Sequence, residues 1–89
     1  MVKKTLVTIE NKLGIHARPA SQIVQKAMEF DSEIFLQKDD IKINGKSILS
    51  VMMLAAEQGS EILLLTEGPD EESAAIAIAE LFRNKFNED

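Results

Sequence analysis

Four short strand-like runs alternate with three helical ones inside 89 residues, and this alternation does most to limit the fold. Residues 2–9 read as a strand, with Val7 and Ile9 facing inwards and Thr8 outwards. After a loop at Glu10–Gly14, a helix is predicted from about Ala17 to Met28. Its apolar stripe is Ala20, Ile23, Val24 and Ala27, at i, i+3, i+4 and i+7, and Asp31-Ser32 breaks it. Residues 33–38 and 41–44 read as a hairpin about Asp39-Asp40, ended by Gly45. A short helix over 47–56 is closed by Gly59. Residues 61–66 are the most apolar strand and belong in the middle of a sheet. Gly68-Pro69-Asp70 then leads into a last helix with Asp70, Glu71 and Glu72 in its first turn. Ala75, Ile78, Ala79, Phe82 and Phe86 line its buried face. The order β-α-β-β-α-β-α is an α+β pattern. In so short a chain the economical packing is a four-stranded antiparallel sheet with helices on one face.

Such a chain is one domain, residues 1–89, and buries only roughly 60–65% of its unfolded surface. Without cysteine it has no disulfide, thiolate site or cysteine nucleophile, and with a single histidine it has no multi-histidine metal site. The net charge of −5 argues against nucleic acid and anionic membrane surfaces as partners. The charge is split: residues 1–46 carry +2 and residues 47–89 carry −7. The acidic half reads as the solvated face of the last helix. No signal peptide or membrane-spanning run stands out, so a cytoplasmic protein with no membrane insertion is expected.

The informative segment surrounds the only histidine. His16 falls at a loop-to-helix junction, where a helix N-terminus offers free N–H groups and a positive dipole end. Pro19 costs the first turn little, because its missing N–H would have no partner there. The Ala17 and Arg18 amides then remain as donors, and Arg18 adds a fork-shaped cation suited to phosphate oxygens. This pattern suits a phosphorylated imidazole, since a neutral ring nitrogen is a good nucleophile near pH 7. On spacing alone, an exposed capping histidine beside a surface arginine is the favoured account of these residues.

Gly45-Lys46-Ser47 does not make a phosphate-binding P-loop, because Asp40 stands where its first glycine is needed. Ser47 reads as a helix N-cap. The helix after it has two apolar stripes, Ile48/Val51/Met52/Ala55 and Leu49/Met52/Met53/Ala56. Packing needs only one, so Leu49, Met52 and Met53 read as an adaptable docking patch for partners.

Asn11-Lys-Leu-Gly-Ile-His-Ala-Arg-Pro-Ala20 resembles the phosphorylation signature of the HPr family, the histidine phosphocarriers of the bacterial phosphoenolpyruvate-dependent sugar phosphotransferase system. The element order and length are also similar over essentially the whole chain. The resemblance implies an open-faced β-sandwich and a monomer without cofactor or metal. It implies a covalent carrier, not an enzyme: His16 accepts phosphate on Nδ1 from phospho-Enzyme I and passes it to IIA domains of sugar permeases, and Arg18 steadies it. Lys46-Ser-Ile-Leu-Ser-Val-Met-Met53 resembles the segment that HPr kinase/phosphorylase modifies, with Ser47 as the phosphorylated serine. Leu49, Ser50 and Met53 depart from its commonest form. Phe30-Asp31 and the ending Phe86-Asn-Glu-Asp89 resemble instead the nitrogen-related paralogue, which works in a regulatory phosphorelay. A third alternative, a non-carrier HPr-like interaction module, is opposed by His16.

Overall fold

The computed structural model describes residues 1–88. Strands β1 (Lys3–Thr8), β2 (Glu33–Lys38), β3 (Ile41–Asn44) and β4 (Glu61–Glu67) form one sheet in the order β1-β4-β2-β3, with every neighbouring pair antiparallel. Helices α1 (Ala17–Ala27), α2 (Ile48–Met53) and α3 (Glu71–Arg83) complete the predicted β-α-β-β-α-β-α order. The interior position of β4 follows from its apolar run: Ile62, Leu64 and Thr66 are all buried. Leu64 lies opposite Thr5 on one side and Leu36 on the other, so the register sets one inward row across three strands.

The core lies between that sheet face and the helices. Val7, Ile34, Leu36, Ile62 and Leu64 meet Ala20, Ile23 and Ala27 of α1 and Ala75, Ile78, Ala79 and Phe82 of α3. Alanines at 74, 75 and 79 let α3 lie close over β1 and β4. Each fully buried large side chain contributes about 1.5–3 kcal/mol relative to exposure.

Four expectations need correction. Helix α2 ends at Met53, and Ala55, at φ 48°, closes it; Gly59 belongs to the following turn. Beyond that turn the Ala56 carbonyl accepts the Ile15 N–H at 2.9 Å, which fastens the segment after α2 to the loop before α1. So short a helix turns only Val51 inwards, joined by its capping residue Leu54 and then Ala56; Ile48 and Ala55 of the first stripe are exposed, while Met52, read as part of the docking patch, is 39% exposed. Asp70 stands at the N-cap of α3, just outside its first turn, and makes no side-chain cap bond. Its carboxylate instead accepts the N–H groups of Asp31 and Ser32, both at 2.9 Å, and the Ser32 hydroxyl. Finally, Phe86 is buried but lies beyond the end of α3. Lys85, Phe86 and Asn87 have φ of 53°, 54° and 59°, a left-handed turn that brings the Phe86 ring back edge-on to Phe82, 5.0 Å between centroids.

Candidate functional site

The loop from Asn11 to Ile15 sets the direction in which α1 begins. Asn11 is fully buried, and its Nδ2 donates to the Gly14 carbonyl at 2.8 Å. Gly14 adopts φ +68°, which favours glycine, and lies against the backbone of Ala56. The Ile15–Ala56 bond fastens the same loop to the end of α2.

His16 follows as the N-cap of α1, in an extended conformation with no cap bond from its ring. Its carbonyl accepts the Ala20 N–H at 3.0 Å, the first closed turn of the helix. The Ala17 and Arg18 N–H groups therefore precede any helical acceptor, and Pro19 has no N–H to offer. His16, Ala17 and Arg18 thus meet at a helix N-terminus, as predicted.

A fourth group joins them from the far end of the chain. The turn after α3 delivers Glu88 to the histidine: His16 Nε2 lies 2.7 Å from Glu88 Oε2, and the Arg18 guanidinium is 3.3 Å from the same oxygen. Asn11 Nδ2 donates to Oε1 at 3.0 Å. The Glu88 side chain is 11% exposed, against 37% for His16 and 57% for Arg18. Burial opposes its ionisation. The hydrogen bonds from Asn11 and His16, with the charges of His16 and Arg18, outweigh burial and hold the carboxyl below its ordinary range. Among the described residues, Nε2 is the only His16 ring nitrogen with a hydrogen-bond partner.

Ser47 lies elsewhere. It caps α2, its Oγ accepting the Ser50 N–H at 3.3 Å, while Lys46 Nζ donates to the Phe30 carbonyl at 2.8 Å. Leu49 and Met53 are 72% and 66% exposed, as expected of a face not used in packing. A concavity on the opposite, open face of the sheet, lined by Leu6, Gln37, Ser60 and Leu63 among others, includes none of these residues.

A family model described as the PTS HPr component phosphorylation site matches residues 3–84. The chain belongs to the HPr family. It is 55% identical to phosphocarrier protein HPr of Treponema pallidum over all of both chains. Its fold matches the crystal structure of HPr-C-His from Thermoanaerobacter tengcongensis with a TM-score of 0.93 and 45% identity, covering 98% of each chain. It also matches an HPr dimer from the same organism, with a TM-score of 0.78 and 48% identity over 92% of this chain and 97% of that one. The coarse function follows: this is a phosphocarrier of the phosphotransferase system, and its partners belong to that system. No helix among the described residues is long and apolar enough to cross a membrane.

Sequence reading missed two members of this HPr site, Glu88 and Asn11. Glu88 is 72 residues from His16, in the half of the chain read as a solvated face, and no local pattern marks it. Asn11 belongs to the signature, but nothing in the signature marks it as a partner of Glu88. Its burial within a polar loop is a tertiary fact.

Proposed function

We propose that His16 is the phosphoryl acceptor of this carrier, loaded by phospho-Enzyme I and discharged to IIA domains of sugar permeases. The observation that supports it best is the placing of the His16 ring at the free N-terminus of α1, beside Arg18. The Nδ1 lone pair attacks the donor's phosphorus. A P–N bond forms, the bond to the donor breaks, and its electron pair returns to the donor atom. The Ala17 and Arg18 N–H groups and the Arg18 guanidinium hold the phosphoryl oxygens. Leu49, Met52 and Met53 supply apolar contacts to the partner. Ser47 is a regulatory site for HPr kinase/phosphorylase: phosphate at the start of α2 leaves the helix intact but sets a dianion beside that apolar face.

The test is transfer of radiolabel from phosphoenolpyruvate through Enzyme I. The wild-type chain gains acid-labile label and His16→Ala, equally well folded, gains none. Acid-labile label surviving in His16→Ala would overturn the assignment. Enzyme I of the sugar and of the nitrogen-related system, used in parallel, separates those two readings. For Ser47, an unmodified Ser47 peptide after incubation with HPr kinase and ATP rules the regulatory role out.

A further inference from the structure

We propose that the free edge of β1, with the groove between β1 and α3, binds an extended acidic segment of a partner protein, which adds a strand to the sheet. This site is separate from His16 and from the docking face beside it.

The sheet order puts β1 on one edge and β3 on the other. Strand β3 lies beside α2, whereas β1 lies under α3, so the β1 edge is across the sheet from the exposed face of α2. Strand β4 takes up one side of β1. On the other side, alternate N–H and C=O groups along Lys3–Thr8 face outwards, with no strand beside them among the described residues. A groove of about 160 Å³ runs along this edge, lined by Lys3, Thr5, Ala75, Ile76, Ala79 and Arg83. Buried Ala75 and Ala79 are short side chains that leave the space open, and Ile76 stands in it 63% exposed. The volume suits one branched apolar side chain and is small for a cofactor-sized molecule.

Charge selects the kind of chain that fits. The protein carries −5 overall, yet this groove is lined by two cations and no carboxylate. Among the described residues neither Lys3 nor Arg83 belongs to an ion pair. Arg83 is in the last turn of α3, about 12 Å along the helix from Ala75. Lys3 is at the other end: it pairs with Thr66, whose hydroxyl donates to the Glu71 carbonyl at the start of α3. Residues i, i+2 and i+4 of a strand share one face and span about 13 Å. A partner strand therefore matches the groove with carboxylates at i and i+4 and a branched apolar residue at i+2. Its main chain pairs with β1, and these alternate side chains give the specificity. Lys3 and Lys4 oppose pairing between two copies of the same edge, which favours an acidic partner over self-association.

The experiment titrates the full-length chain with the end-blocked peptide Thr-Glu-Thr-Val-Thr-Glu-Thr, and with its counterpart carrying lysine in place of both glutamates, followed in 1H–15N spectra. The acidic peptide shifts the amides of Lys3–Val7, Ile76 and Arg83 and slows hydrogen exchange along β1, while His16 and α2 stay unshifted. The lysine peptide binds about tenfold or more weakly. Two variants are compared, each first shown to keep its thermal transition. Ile76→Glu, at an exposed position, weakens binding of the acidic peptide about tenfold or more. The double variant Lys3→Glu/Arg83→Glu, which touches no buried side chain, reverses the preference between the two peptides. No shift at millimolar acidic peptide, equal affinity for the two peptides, an unchanged preference in the double variant, or shifts confined to His16 and α2 would each overturn the proposal. Self-association that shifts the same β1 amides without peptide assigns the edge to a second copy and overturns it as well.

Discussion

Gly14 is packed against Ala56: a β-carbon on Gly14 would lie 2.5 Å from the Ala56 carbonyl oxygen and 2.9 Å from the Glu57 α-carbon. The obstruction is backbone on both counts, so it cannot be relieved by turning a side chain. The same loop carries His16 two residues later, and the Ile15–Ala56 hydrogen bond makes the contact a joint between the histidine loop and α2.

Gly14→Ala combines that clash with a left-handed φ of +68°. It is expected to lower stability by about 2 kcal/mol or more in denaturant unfolding. Loading of His16 by Enzyme I falls as well, because relief of the clash must shift the loop. A variant with wild-type stability would show that the loop and α2 are not locked together.

Ala55→Gly should act in the opposite direction. Ala55 is exposed and closes α2 at φ 48°, where glycine is the usual residue. Removing the β-carbon relieves left-handed strain and loses no packing, at some cost in unfolded-state entropy. The net effect expected is about 0.5–1 kcal/mol of added stability, read from the urea midpoint at unchanged slope. A lower midpoint would mean that the Ala55 methyl is worth more than the strain.

These two positions also show what was legible in the sequence. Strand and hairpin limits were read nearly residue for residue, because period-two runs such as Ile34/Leu36 sit on a sheet with one buried face. The start of α2 was legible from Ser47, a local cap. Its end was not: the chain turns left-handed at Ala55, a residue type that does not announce such a turn, and the Ala56 carbonyl then meets Ile15, 41 positions earlier. The candidate site divides in the same way. His16, Ala17 and Arg18 are neighbours in sequence and carry a recognisable pattern. Glu88 and Asn11 join them only after α3 has docked and its terminal turn has reversed the chain, and Phe86, read as a continuation of the helical stripe, concealed that reversal.

Asp70 gives the fold an acid-sensitive clasp. The Ser32 hydroxyl, followed by the Asp31 N–H, holds its carboxyl below the ordinary 3.8, against a smaller opposing effect of burial. A depressed folded-state value contributes stability that is fully present above 3.8 and is lost as pH falls through the folded value. Asp70→Asn should therefore melt below the wild type at neutral pH, and the gap in Tm should close as pH is lowered through that range. Glu88 shifts in the same direction, so its contribution is removed by repeating the series in Glu88→Ala. A gap independent of pH would assign the effect of Asp70→Asn to lost geometry and not to ionisation.

Met52 and Leu54 separate docking from packing on neighbouring positions of one short segment. Met52 is 39% exposed, whereas Leu54, which caps the helix, is 2% exposed. Leu54→Ala removes buried methyl groups and should cost about 2–5 kcal/mol, with Enzyme I binding preserved in the fraction that remains folded. Met52→Glu places a charge where the side chain already meets solvent, so Tm should hardly change. It also places that charge on the face assigned to the partner, and binding of Enzyme I, followed by calorimetry, should weaken about tenfold or more. If Met52→Glu instead melts the fold, Met52 belongs to the core; if it changes neither stability nor binding, the partner docks elsewhere.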